Sequence, residues 1–446
     1  MKTILLTLGL AMACAANLFA GETLQLKLVP DRDYVLDDSP QEIVIKIDLS
    51  AIAEDRKKVR RTPLNLAVVI DRSGSMTGAK LEKTKQAAMQ LVDRLAPNDI
   101  FSLVIFSDEA QVLVPAQKVE DKDALKEKIE SIEADGSTAL YAGVQMGADQ
   151  LDEFLSSKRI NRVILLSDGL ANVGPSTPRE LRRLGSQLAE RGISVTTIGV
   201  GDDYNEDLMA GLAEASDANY YYVNDVETLP QIFEKELGEM LSVAARDVRI
   251  EITCPDGVEP LGFIGRSEKF AGQKAIVNLS QFTTGQDRFL FLRCRVDGKT
   301  PEVAHARISY TDELNDGTVE SADGVARVNF TADASVSEKS VNGLVEAQKL
   351  LVLTAVAKDE AIAQADAGNY AQAATILQAQ SAALDRVFLK APASVQSQIS
   401  AETNNLEDMS GAIGGFGGGG ASGSSFDGSA TRKTLQWQSY NTRNSK

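Results

Sequence analysis

LNLAVVIDRSGSM, residues 64–76, decides the fold. An apolar run of strand length ends on Asp71, and after a short Ser/Gly turn the pattern becomes helical, with Leu81, Thr84, Ala88, Leu91, Val92 and Leu95 on one face. The same alternation continues down the chain. IFSLVIFS from 100, RVILLS from 162, ISVTTIGV from 193 and NYYYV from 219 are apolar runs separated by amphipathic stretches. Thr177, Pro178 and Glu180 give one of those stretches a capped helix start. Strands alternating with helices predict a doubly wound, mostly parallel α/β sheet.

Outside this block the period changes to two. ETLQLKLVP and EIVIKIDLS precede it, and DVRIEITC, RFLFLRCRV, VAHARISY and GVARVNF follow it, with turn signals between them. Two N-terminal strands cannot make a stable sheet alone, so both flanks are expected to form one β-sandwich with the α/β domain inserted in it. From about Ser335 helical spacing returns, broken at Gly368 and again at Pro392, which predicts a helical hairpin and a third helix. The expected divisions are a signal peptide at 1–20, sandwich strands at 21–61, the α/β domain at 62–241 and the rest of the sandwich at 242–334. A helical segment at 335–410, a flexible Gly/Ser-rich linker at 411–431 and a basic aromatic tail at 432–446 complete them. For that tail, docking back onto the acidic body, binding a partner and disorder all stay open.

The chain has 446 residues and a formal charge of −17, without a basic patch in its body. Nucleic acid is therefore not an expected partner, since phosphate binding needs clustered Lys and Arg. Lys2 followed by ILLTLGLAMACAANLFA has the form of a signal peptide cut near Ala20, so a periplasmic or cell-surface location is expected, with lipid attachment at Cys14 as the lesser alternative. No later segment is long and apolar enough to span a bilayer. Cys254 and Cys294 fall on the inward faces of their strands by parity, which allows a disulfide or two buried thiols; the disulfide is the expectation.

The chemistry lies in oxygen-bearing side chains. Asp71, Ser73 and Ser75, then Thr138 in DGSTALYAG, then Asp168 in RVILLSDGL, all stand where strands or loops run into helices. Ser73 and Ser75 bracket Gly74, so one tight turn can aim two hydroxyls at a single point. Mg²⁺ wants six oxygens in near-octahedral positions, and two carboxylates with neutral hydroxyls suit it. At these residues the sequence resembles the von Willebrand factor type A domain, whose metal-ion-dependent adhesion site has an Asp-x-Ser-x-Ser motif, a distant Thr and a distant Asp. The stretch TTIGVGDDYNEDLMAGLAEASDANYYYVNDVETLPQIF is similar to the closing half of that domain in exported bacterial members and in inter-alpha-trypsin inhibitor heavy chains.

The resemblance implies a Mg²⁺ ion, with Mn²⁺ or Ca²⁺ as alternatives, whose shell is completed by an Asp or Glu carboxylate of a partner protein. Asp135, Asp202 and Asp203 are the candidate rim of that contact; capping the helix that begins near Asn205 is the other reading of Asp202 and Asp203. A non-enzymatic binding module is expected. His305 is the only histidine, no G-x-S-x-G elbow occurs, and one histidine cannot supply an H-E-x-x-H zinc site. A structural envelope component with a purely structural metal is the alternative, and a Mg²⁺-dependent hydrolase ranks below it.

Overall fold

The structure, a computed structural model, describes residues 19–20, 23–52, 61–417, 426 and 429–444. The expected signal peptide therefore lies almost wholly outside the described residues, as does Cys14. Among the described residues no helix is long and apolar enough to cross a membrane.

The α/β block folds around a six-stranded sheet in the order Tyr220–Val223, Ser194–Val200, Ile160–Ser167, Leu64–Asp71, Ile100–Phe106, Ala110–Lys118. The first five strands are parallel and the last is antiparallel. Every residue of Leu64–Asp71, Ile100–Phe106, Ile160–Ser167 and Ser194–Val200 is buried. Helices cover both faces, so these strands read as continuous apolar runs and not as alternation. Helices α1 (Ala79–Arg94), α2 (Lys122–Glu130) and α6 (Leu229–Met240) pack on one face. Helices α3 (Leu140–Leu151), α4 (Pro178–Glu190) and α5 (Glu206–Ala215) pack on the other. The Thr177 side chain and Glu180 close a reciprocal capping box at the start of α4.

The flanking strands form two sheets around a shared core. One runs Phe19–Ala20, Leu24–Pro30, Gln41–Ala51, Asp287–Val296, Val258–Phe263; the other runs Lys274–Thr283, Val243–Thr253, Glu302–Asp312, Thr318–Arg327. Gln41–Ala51 pairs with Asp287–Val296 in unbroken register from Ser50↔Asp287 to Gln41↔Val296, which ties the two flanks together across the inserted domain. Leu26, Ile43, Ile45, Ile250, Ile252 and Leu292 meet between the sheets.

Cys254 and Cys294 face each other in that core, but as two free thiols and not as the expected disulfide. A hydrogen bond between the two sulfurs lowers the Cys254 thiol against the effect of burial and, together with burial, raises the Cys294 thiol.

After the short helix α7 (Ala334–Lys339), helices α8 (Gly343–Asp366), α9 (Tyr370–Phe388) and α10 (Ala393–Gly417) pack into a bundle. Val345 and Val352 of α8 also cover the outer face of the first sandwich sheet at Val44 and Phe291. The linker expected from 411 is helical as far as Gly417. Ile413 is fully buried beside Leu406, and Phe416 packs edge-on to the buried Phe426, so apolar anchors override the glycines. Residues 418–425 and 427–428 lie outside the described residues.

Of the three readings of the basic tail, docking is the one seen, and the docked segment is helical. Helix α11 (Ala430–Asn444) lies between α8 and α5. Arg432 is bonded to Glu206 and Asp207 in the first turn of α5 and to Asp366 at the end of α8. Lys433 donates to the Tyr204 carbonyl (2.8 Å) and to Glu206, and the Tyr440 hydroxyl donates to the Ala218 carbonyl.

Candidate metal centre

The chain leaves Leu64–Asp71 for Ile100–Phe106 on one side, while Ile160–Ser167 lies on the other. The crevice beyond the carboxyl ends at such a reversal is where open α/β sheets bind ligands. Parallel register places Ser167 beside Asp71, since Ile70 is opposite Leu166. Both Asp71 and Asp168 are fully buried, so two carboxylates sit at the mouth of the sheet where water cannot solvate them freely.

Local hydrogen bonds hold each group in place. Asp71 accepts from the Ser73 backbone N–H at 2.8 Å with one oxygen and from the Ser167 hydroxyl with the other. The Ser73 and Ser75 hydroxyls are 3.1 Å apart, and the Ser75 hydroxyl donates to Asp168 at 2.7 Å. The Thr138 loop is tied to the Ser73–Ser75 turn because the Gly74 N–H donates to the Gly136 carbonyl at 3.0 Å. Gly136 has a φ of +82°, and a Cβ there would stand 2.7 Å from the Asp108 carboxylate, so glycine is required twice over. The Thr138 hydroxyl packs over Gly169, where a Cβ would stand 2.6 Å from it. Asn172 fixes the same loop by accepting from the Thr138 N–H at 2.9 Å.

The structure thus brings Asp71, Ser73, Ser75, Thr138 and Asp168 to one edge. Ser73 and Thr138 are buried, and Ser75 is exposed toward solvent. The rim residues separate into three cases. Asp203 reaches the site through Lys80, whose ammonium is bonded to Asp168 and is 3.9 Å from Asp203. Asp202 accepts from the Tyr222 hydroxyl at 2.6 Å and does not join the cluster. Asp135 is exposed on the Thr138 loop, with its N–H on the Arg72 carbonyl at 2.7 Å. The cap of α5 is Asn205, which accepts from the Leu208 N–H, so neither Asp202 nor Asp203 has that role.

Burial pushes the Asp71 carboxyl above its usual range; hydrogen bonds from Ser167 and Ser73 pull it down, and the Asp168 charge pushes it up again. Two buried carboxylates against the single ammonium of Lys80 leave the edge short of positive charge. Lys80 and Ser167 were not among the residues singled out in the sequence. Ser167 was legible from its place before Asp168 in LLSDG at the end of a strand neighbouring Asp71. Lys80 carried no signal beyond being a lysine in the first turn of α1.

His305 lies on the sandwich strand Glu302–Asp312, 3.0 Å from Asp323, and takes no part in this edge. Among the described residues no group of three or more His, Cys, Asp or Glu converges on one point. The donor set at the edge is hydroxyl-rich, with only two carboxylates, and so differs in kind from such a cluster.

The family model of the von Willebrand factor type A domain matches residues 65–235. An uncharacterized protein of Synechocystis sp. is 28% identical over 287 residues, 61% of this chain and 67% of its own. Human inter-alpha-trypsin inhibitor heavy chain H4 is 32% identical over 160 residues, 34% of this chain but 17% of the human protein. The chain thus spans two thirds of the first relative and a small part of the second. Among solved structures, a von Willebrand factor type A protein from Catenulispora acidiphila superposes with a TM-score of 0.68 at 17% identity, covering 90% of this chain and 92% of its own. An ArnB paralogue from Sulfolobus acidocaldarius gives a TM-score of 0.61 at 17% identity over 95% of this chain and 98% of its own. At that identity the likeness is one of fold, and it extends well beyond the matched domain to the sandwich and the C-terminal helices.

Proposed function

Residues 65–235 belong to the von Willebrand factor type A domain family, and from that premise we propose that the chain is an exported, divalent-metal-dependent protein-binding module. Asp71, Ser73, Ser75, Thr138 and Asp168 would hold a Mg²⁺ ion. The single observation that carries this reading is the spacing of the oxygens. Ligands about 2.1 Å from an octahedral ion stand roughly 3 Å apart along each edge of the octahedron. The Ser73–Ser75 and Ser75–Asp168 contacts, at 3.1 and 2.7 Å, have that spacing.

Each residue has a separable task. Asp71 and Asp168 supply the negative charge, while Ser73, Ser75 and Thr138 contribute neutral oxygens that leave the charge of the ion incompletely compensated. Bound there, the ion would supply an electrophilic centre for an outside carboxylate. Ser75, exposed on the solvent side, marks the direction of approach, and Asp203 and Asp135 would form a rim that repels an acidic partner arriving off-centre. We assign no catalytic residue: the carboxylates and hydroxyls that face this edge are assigned to the ion. Export to the periplasm or cell surface rests on the N-terminal sequence.

Affinity capture from envelope extract, with and without EDTA and repeated with Asp71→Ala, tests this reading. Loss of the same partner under both treatments, with the variant still folded, is the expected result. Retention of that partner by the EDTA-treated protein and by Asp71→Ala would make the metal purely structural.

A further inference from the structure

Away from the metal edge, a cleft of about 1160 Å³ opens between the amino ends of the α/β strands, the outer side of the second sandwich sheet and the end of α11. Eight arginines and five carboxylates line it, and seven of those arginines are already paired with a carboxylate in or beside the lining. Arg249, Arg266 and Arg191 are paired with Glu251, Glu268 and Asp152, their own neighbours on the surface. Partly exposed pairs of this kind are worth about 0–1 kcal/mol and exchange readily for another carboxylate. Arg162 is 2% exposed at the cleft floor, and its Nε has no hydrogen-bond partner.

The second observation is a sheet edge. Lys274–Thr283 pairs on one side only, with Val243–Thr253. The Ser280 N–H points away from that partner and donates to Asp217, a residue of the cleft wall. Backbone direction repeats every second residue, and the register is regular from Ala245 to Thr253. The N–H and C=O groups of Asn278 and Ile276 therefore face the same way, into the cleft. Ile276, 45% exposed, stands beside them as an apolar contact. An open edge with a hydrophobic side chain is a template for an added strand.

We propose that this cleft binds an extended acidic peptide segment of a partner protein, which adds as a strand to Ile276 and Asn278 and places its carboxylates on Arg249, Arg266 and Arg191. The strand edge aligns the ligand, and the arginines exchange their present carboxylates for its own. The site is independent of the metal edge.

The test is fluorescence anisotropy on the full chain, using a fluorescein-labelled peptide of alternating Glu and Val, about ten residues long. Saturable binding that EDTA leaves unchanged is expected, with about tenfold or greater loss in Arg249→Glu. Asn278→Pro removes only an outward N–H, which an edge strand tolerates, so it should abolish binding while the thermal midpoint stays in place. A Lys/Val peptide should not bind. Equal binding to wild type and a folded Asn278→Pro, or equal binding of inorganic polyphosphate, would overturn strand addition. Failure of the Glu/Val peptide to bind at low salt would overturn the proposal, as would a dimer of the free chain that Asn278→Pro dissociates. None of these outcomes bears on the metal reading, which EDTA and Asp71→Ala test separately.

Discussion

Lys80 is the residue whose role the geometry sharpens most. Its ammonium is bonded to Asp168 while Asp203 waits 3.9 Å away, so a divalent ion taking Asp168 has to move that ammonium toward Asp203. Lys80→Met removes the competitor and should tighten Mg²⁺ binding by roughly tenfold or more, because the pair is mostly buried and a hydrogen bond between charged groups contributes about 1.5–3 kcal/mol. Asp203→Asn removes the resting place and should weaken it. Calorimetric titration of both variants checks the pair, and affinities that move together in one direction would contradict the exchange. At this scale the sequence spoke clearly for five oxygens and not at all for the lysine. A motif reports the groups it repeats, whereas Lys80 acts through its position on the first turn of α1.

At the scale of elements, α11 does what its composition left open. A basic, aromatic helix of 15 residues docks on an acidic body because Glu206, Asp207 and Asp366 converge where Arg432 enters. Its far end is held by Glu214, which lies between Arg443 of α11 and Arg182 of α4. Burial raises the Glu214 carboxyl, but the two guanidinium charges win and hold it below its ordinary value of 4.5. A carboxyl depressed in the folded state contributes stability that is present above that ordinary value and is lost as pH falls through the folded one. Thermal melts of wild type should therefore lose stability below about pH 4.5, and Glu214→Gln should be less stable at neutral pH with a flatter acid limb. An unchanged acid limb in Glu214→Gln would remove Glu214 from the clamp. The strands of the α/β sheet were legible from their continuous apolar runs, and the sandwich strands from alternation. The helical stretch past 410 was not, because glycine propensity was allowed to decide where Ile413 and Phe416 do.

Across the whole molecule, three bodies share one frame. The α/β domain enters and leaves through a sandwich whose two flanks are joined by two strand pairs, Gln41–Ala51 with Asp287–Val296 and Tyr34–Leu36 with Asn329–Thr331, and α11 ties the helical bundle back to α5 beside the metal edge. The Lys433–Tyr204 contact and the rim at Asp202 and Asp203 lie on one continuous stretch of chain, so the bundle buttresses the loop that borders the proposed partner site. The sandwich insertion could be read from the sequence because two strands cannot stand alone. The closure by α11 could not, since its docking site is set by residues as far apart in sequence as Asp366 and Glu206, 66 and 226 positions from Arg432. The account as a whole depends on five oxygens holding one ion. Isothermal titration of MgCl₂ into the full chain measures that most directly: one saturable site, lost in Asp71→Ala with the fold retained, is the predicted result, and no binding, or binding equal in wild type and Asp71→Ala, would contradict it.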